Sequence, residues 1–177
     1  MTREWVDSGV ELPPFFKKGV SHPLPFHWLL SYPDRREYKK KSMNEPQRDR
    51  LIEQACEARS HAHAPYSGFL VGAALLTGDG SVFVGCNVEN SSLGLTQCAE
   101  RSAVTAAVAA GQQDLAELVV ASDGGASPCG ACRQVLSEFA DQLTIHLVDT
   151  RDGRDGPVKT VELADLLPLP FRGTEED

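Results

Sequence analysis

Residues 43–177 read as one α/β domain, and two observations lead to that expectation. Apolar residues recur at helical spacing over 45–60, 98–110 and 129–139, while strand-like apolar runs fall at 69–77, 81–87, 115–122 and 143–149. The joints between these segments are short and carry turn residues, notably Gly78-Asp79-Gly80, Gly111 and Asp123-Gly124-Gly125. A chain of 177 residues is one domain's worth, able to bury a single core without disulfide staples.

Residues 1–42 stand apart as an N-terminal extension. They carry Pro13, Pro14, Pro23, Pro25 and Pro33 among Trp5, Phe15, Phe16, Phe26 and Trp28, with neither helical nor strand periodicity. Two readings stay open: a loosely ordered extension, or an arm whose aromatics dock on the body or on another subunit. Met43-Asn44-Glu45-Pro46 is a helix entry with Asn44 as cap and proline in the first turn, so a natural start at Met43 is a further possibility.

In the first helix Leu51, Ile52, Ala55, Cys56 and Ala58 form the apolar stripe, with Cys56 as a small core residue. His61 and His63 follow in a loop before Pro65; a His-x-His pair can bind metal, but three cysteines downstream are better placed to do so. Residues 69–77 and 81–87 form a hairpin around Gly78-Asp79-Gly80, with Cys86 packed inside. Extended geometry over 87–89 sends Asn87 and Glu89 to one face and Val88 to the other; taken alone, these are ordinary polar residues of a turn. An alanine-rich helix with Val104 and Val108 in register begins at Cys98 and closes at Gly111. A strand over 115–122, a helix opening after Pro128, a strand over 143–149, a turn over 151–157 and a short helix over 161–167 complete the pattern.

The formal charge of −8 argues against a nucleic acid polymer as partner, because affinity for polyanions rests on Lys and Arg neutralising phosphates. Eight basic and five acidic residues precede Met43, so the body that follows is strongly acidic and suits a small, weakly charged ligand. No run of eighteen apolar residues and no charged-then-apolar leader pattern occurs, so no membrane partner is expected and the chain reads as soluble and cytoplasmic. In a reducing compartment an odd set of five cysteines reads as metal ligands or free thiols.

Three of those cysteines carry the chemistry. Cys129 and Cys132 form a C-x-x-C pair after Pro128, and Cys98 lies about thirty residues upstream. The pair alone fits a thioredoxin-type redox centre or half of a structural zinc knuckle. Three thiolates, however, are one ligand short of a closed structural zinc site, and the open position fits a catalytic one. Both pieces start helices, where unpaired amide hydrogens and the positive dipole end favour thiolate over thiol. Glu100, two residues past Cys98, is placed to move the protons of a water at the open position. Zinc deaminases combine a His- or Cys-led x-Glu piece with Pro-Cys-x-x-Cys, the glutamate acting as acid and base and not as ligand. A non-enzymatic zinc staple would need no such carboxylate.

The runs Pro65-Tyr66-Ser67-Gly68-Phe69-Leu70-Val71-Gly72-Ala73-Ala74-Leu75-Leu76-Thr77, Gly85-Cys86-Asn87-Val88-Glu89-Asn90, Cys98-Ala99-Glu100-Arg101 and Pro128-Cys129-Gly130-Ala131-Cys132-Arg133-Gln134-Val135 closely resemble the small, three-cysteine cytidine deaminases. The resemblance spans about 43–171 and leaves residues 1–42 outside it. It implies a three-layer α/β/α sandwich with a central mixed five-stranded sheet, one Zn²⁺ per subunit and a homotetramer. The implied reaction is hydrolysis of cytidine and 2′-deoxycytidine to uridine and 2′-deoxyuridine plus ammonia, a step of pyrimidine salvage. Cys98, Cys129 and Cys132 match the zinc ligands, Glu100 the proton shuttle, and Arg101 an arginine that contacts the thiolates. Asn87 and Glu89 match the pair that holds the ribose 3′-hydroxyl, which replaces the surface reading of that turn. Phe69 matches an aromatic of the base pocket, Ala99 joins the substrate-binding set, and Phe171 resembles the residue that reaches a neighbouring subunit's site. Two positions depart from the pattern: Leu93 replaces a usual tyrosine, and Gln97 a usual apolar residue. Blasticidin-type deaminases share the zinc pieces, so another aminopyrimidine nucleoside stays open as substrate.

Overall fold

The computed structural model describes residues 43–172, and both readings of the N-terminal extension, including the docking arm, lie outside the described residues. The element order is α1 (Glu45–Ser60), β1 (Val71–Thr77), β2 (Val82–Cys86), a 3-10 turn (Leu93–Leu95), α2 (Ala99–Ala109), β3 (Leu115–Ser122), α3 (Gly130–Ser137), β4 (Thr144–Asp149), β5 (Val158–Glu162) and α4 (Leu163–Leu166). The five strands form one sheet in the order β2-β1-β3-β4-β5. Only β3 and β4 run parallel; the other neighbours are antiparallel. A parallel pair needs a crossover, and α3 supplies it.

Alternating strand residues divide the core between two faces. On one, Leu51, Ile52 and Ala55 of α1 pack on Ala74, Val119, Ala121 and Val148. On the other, Ala99, Ala103, Val104 and Ala107 of α2, with Leu136 of α3 and Leu163 of α4, pack on Ala73, Leu75, Leu118, Val120, Ile145 and Leu147. The α1 entry is capped from both sides, Gln47 N donating to Asn44 Oδ1 (3.0 Å) and Asn44 N to Gln47 Oε1 (3.2 Å). On the α1 face the buried His146 Nε2 meets Glu117 Oε2 at 2.8 Å and its Nδ1 meets Thr160 Oγ1 at 3.0 Å. The amide of Met43 donates to the other oxygen of Glu117 at 2.9 Å, which ties the first described residue to the sheet.

The C-terminal part corrects the sequence reading. Residues 158–162 form β5, where a turn followed by a helix from 161 was expected, and α4 begins only at Leu163. Val-Lys-Thr-Val-Glu is an exposed edge segment with little apolar content, so its strand character comes from pairing with β4. Thr144 Oγ1 donates to Glu162 Oε1 (2.9 Å) across that pair. Two boundaries also move. β1 starts at Val71, leaving Phe69 and Leu70 ahead of it, and α3 ends at Ser137. Cys86, expected inside the hairpin, is half-buried.

Two glycines set how closely the helices approach. A Cβ on Gly72 would lie 2.0 Å from the Ala55 carbonyl oxygen of α1, and one on Gly85 would lie 2.5 Å from both Ala99 O and Ala103 N of α2. Glycine is required there for space, since backbone atoms cannot swing aside as a side-chain tip does. The second contact bears on chemistry, because α2 is the helix that carries Glu100 and follows Cys98. Gly85→Ala is expected to push α2 off β2, costing about 1–3 kcal/mol and lowering zinc stoichiometry. Chemical denaturation and metal analysis of the purified variant check this; wild-type values for both would show that the contact has slack.

Candidate active site

Cys98 is the N-cap of α2 and Cys129 the N-cap of α3, both in extended backbone conformation, and neither thiol caps its own helix. Their side chains are free to turn toward each other. Cys132, one turn into α3, is fully buried and completes the group. All three sulfurs lie within 4.8 Å of one another. Cys98 Sγ is 4.0 Å from Cys129 Sγ, which is 3.5 Å from Cys132 Sγ. A tetrahedral ion with metal–sulfur bonds of about 2.3 Å holds its sulfurs roughly 3.8 Å apart, so the spacing fits zinc.

Electrostatics supports the same fit. A hydrogen bond from Cys132, together with the Arg101 guanidinium, lowers the Cys98 pKa to about 5. Cys132 is driven the opposite way, because Cys98 holds its proton, burial disfavours its charge and Glu100 stands nearby. Three thiols this close cannot all ionise against one another unless a cation joins them. Arg101 contributes part of the compensation: its Nη2 donates to Thr96 O at 2.9 Å and reaches Cys98 Sγ at 3.5 Å. Its Nε is buried with no hydrogen-bond partner among the described residues, as suits a guanidinium aimed at a charged cluster.

Glu100 is 5% exposed, and burial, with the Cys98 charge as a lesser cause, raises its carboxyl pKa above the usual range. A carboxyl whose charged form is disfavoured in this way accepts and holds a proton more readily than a solvated one.

Tertiary contacts hold the side chains of both Asn87 and Glu89 on the 66–71 segment. Asn87 Oδ1 accepts from Val71 N (2.8 Å) and its Nδ2 donates to Phe69 O (2.9 Å), clamping the entry of β1. Glu89 accepts from the amide of Tyr66 (2.9 Å) and from the amide and hydroxyl of Ser67. Those bonds, Ser67 Oγ foremost, lower its pKa and keep it ionised. Between the two, Val88 bridges both His63 and Gln97. The Gln97 bridge leads directly into Cys98 and so couples the Asn87–Glu89 pair to the metal end. Gln97 serves through its backbone, Val88 N donating to Gln97 O and Gln97 N to Val88 O, both at 2.9 Å.

The remaining expected residues are placed differently. Phe69 is 41% exposed and joined to the Asn87 clamp through its backbone. Ala99 is fully buried in the core, which leaves its backbone, at the start of α2, as the group it can offer. Phe171 is held by α3 through Gln134. Leu93 sits exposed on the 3-10 turn. Neither His61 nor His63 belongs to the cysteine group. Ser67, Thr96, Arg133 and Gln134 join the site's surroundings through contacts that no local sequence pattern marks. The Pro65-Tyr66-Ser67-Gly68 turn was the one available signal for Ser67. A charged groove of about 690 Å³ lined by Arg48, Glu53, Arg154 and Val158 holds none of these residues.

Residues 45–147 match the family described as the cytidine and deoxycytidylate deaminase zinc-binding region. The chain belongs to this family. It is 43% identical over 126 residues to the cytidine deaminase of Sporosarcina psychrophila, covering 70% of this chain and 90% of that one. Among solved structures it is similar to cytidine deaminase from Burkholderia pseudomallei, at 46% identity and a TM-score of 0.65, covering 73% of this chain and all of that one. The enzyme from Mycobacterium tuberculosis gives 43% identity and a TM-score of 0.60, covering 70% of this chain and 96% of that one. The mixed sheet flanked by helices is the fold of this family, and zinc is the cofactor of its deaminase region.

Replacing Cys129 or Cys132 by alanine is expected to abolish stoichiometric zinc and to lower the melting temperature, since a lost ligand leaves an ion loosely held and two thiolates uncompensated. Metal analysis and thermal unfolding of each variant check this, and full zinc in either would remove that cysteine from the ligand set.

Proposed function

We propose that this chain is a zinc-dependent cytidine deaminase, hydrolysing cytidine and 2′-deoxycytidine to uridine and 2′-deoxyuridine with release of ammonia. The observation that carries the reading is a buried carboxyl of raised pKa, Glu100, beside three cysteine sulfurs that are one ligand short of a closed zinc site. Zinc bound there supplies the Lewis acidity that makes water a nucleophile at neutral pH. Glu100 would take one proton from the attacking water and pass it to N3, so that no ring anion forms as the C4–O bond is made; it would then take the second proton from the new C4 hydroxyl and give it to the amino group, which leaves as ammonia as the C4–N bond breaks and the carbonyl of uridine forms. Arg101 would offset the excess negative charge of three thiolates around a dication, a charge that would otherwise blunt the ion's ability to acidify water.

Asn87 and Glu89 bind the ribose 3′-hydroxyl in this reading, with Phe69 and the Ala99 backbone at the base. The Glu89 carboxylate, kept ionised by the Tyr66 and Ser67 donors, is a strong acceptor for a hydroxyl. A zinc staple without activity is the poorer reading, because a staple gains nothing from burying a carboxyl at the metal. The enzyme acts in the cytoplasm in pyrimidine salvage and works as a homotetramer in which Phe171 completes a neighbour's site. The exposed Leu93, Leu95, Tyr66 and Phe171 support an assembly that covers them.

Glu100→Gln is expected to keep zinc and fold while losing at least about two orders of magnitude in kcat, the scale of a removed acid/base group. An ultraviolet assay with cytidine, deoxycytidine and blasticidin S, run on protein of measured zinc content, checks this. Near-normal turnover would sink the role of Glu100, and turnover of blasticidin S alone would replace the substrate class.

The catalytic domain is proposed to begin at Met43: its nitrogen, an ammonium group in a chain started there, remains a donor for Glu117, and the neighbouring cap uses only Asn44 and Gln47. A chain starting at Met43 is expected to remain a zinc-containing, active homotetramer. Light scattering and the same assay decide it. A monomeric or inactive product beside an active, tetrameric full chain would make residues 1–42 part of the working assembly.

A further inference from the structure

The two residues that follow Cys132 on α3 hold the C-terminal tail. Gln134 Nε2 donates to Phe171 O at 2.8 Å, and Phe171 N donates to Gln134 Oε1 at 3.2 Å. The side-chain amide thereby pairs with both polar groups of one backbone residue, as a strand neighbour would. Arg133 Nε donates to Pro128 O at 2.7 Å and its Nη2 to Ser127 Oγ at 3.2 Å, while Nη1 donates to Leu166 O at 2.9 Å. One guanidinium thus joins the loop before Cys129 to the end of α4. Past the clamp, Arg172 Nη1 donates to Ser137 O at 3.1 Å, at the other end of α3.

The side chains show what this fastening is for. Phe171 is 77% exposed and Leu169 91% exposed, although the backbone of the first is held by two hydrogen bonds. A tail fastened for the stability of its own subunit would turn its aromatic into the core, where burial of a phenyl group gains about 1.5–3 kcal/mol. Here polar contacts fix the backbone and the ring points away. A ring presented in this way lowers the entropy cost of docking elsewhere, since its backbone is already ordered.

We propose that Gln134 is a positioning residue for the substrate pocket, acting through Phe171: its amide sets the backbone from which the aromatic ring closes the site of a second copy of this chain. The inference rests on the cytidine deaminase reading above. It adds that α3 serves two sites, carrying Cys132 for its own metal and, two residues on, the clamp that aims an aromatic at its neighbour's substrate. The effect belongs to substrate binding, because neither Gln134 nor Phe171 contributes a ligand or a proton.

The test uses the full-length zinc protein and two readouts. Gln134→Met keeps the length of the side chain and removes both hydrogen bonds; Gln134→Glu keeps the acceptor and loses the donor. Hydrogen exchange at the Phe171 amide reports the clamp directly, without activity. Steady-state kinetics with cytidine report its consequence. Gln134→Met is expected to speed exchange at Phe171 and to raise KM by about tenfold, the scale of one aromatic stack on a base. Its kcat is expected within about threefold of wild type, as for loss of binding shared by ground and transition states. Gln134→Glu should fall between, and Gln134→Met combined with Phe171→Ala should be no worse than Phe171→Ala alone. Fast exchange at Phe171 in the wild type, an unchanged KM in both Gln134 variants, or losses that multiply in the double variant would each overturn the proposal. Should Gln134→Met fail to fold, the Gln134→Glu and Phe171→Ala pair carries the same cycle. Slow exchange at Phe171 in a wild-type chain inactive on cytidine would instead overturn the functional reading, and the role in substrate binding with it.

Discussion

Mutual repulsion among three cysteine sulfurs is the constraint on which the site depends. Three sulfurs within 4.8 Å of one another can be thiolates together only if something positive is among them. The chain meets that condition in three ways at once. It starts two helices at Cys98 and Cys129, it brings the Arg101 guanidinium to Cys98, and it leaves the sulfurs at the spacing of a tetrahedral dication. Burial of Glu100 beside the same cluster follows from the same geometry, because the residue two past an N-capping cysteine lies in the first turn of α2, whose start is pressed into the core.

The sheet is what makes two helix starts coincide. Gly85 lets the backbone of α2 approach β2 closely, and the parallel β3–β4 pair forces a crossover through α3 that begins just past the end of β3. Both N-termini therefore arrive at one end of the sheet, where open α/β sheets place their ligands. The Val88–Gln97 bridge adds the third component at the same end by running the Asn87–Glu89 segment alongside the residue before Cys98. Asn87 and Glu89 in turn organise 66–71, so the segment carrying Phe69 is shaped by the same two side chains proposed to meet the ribose.

α3 shows how little chain is needed to couple functions. Its N-cap and first turn hold two cysteines of the metal group, and the next two residues hold α4 and the tail. Two residues of helix and one amide pair thus separate Cys132 from the backbone of Phe171.

Much of the site was legible in the sequence, because its chemistry is local in the chain. Cys98 and Glu100 belong to one helix start and Cys129 and Cys132 to another. The helices and the hairpin were legible for the same reason, since apolar spacing and turn residues act over a few positions. What only the tertiary structure decided depends on partners far along the chain. β5 is a strand because β4 lies beside it, and nothing in Val-Lys-Thr-Val-Glu alone requires it. Glu89 is ionised and oriented by Tyr66 and Ser67, and Gln134 meets Phe171 across 37 residues. Local propensity and residue type name the groups that do chemistry; which backbone each polar side chain clamps is set by packing, and packing joins residues that the sequence leaves apart.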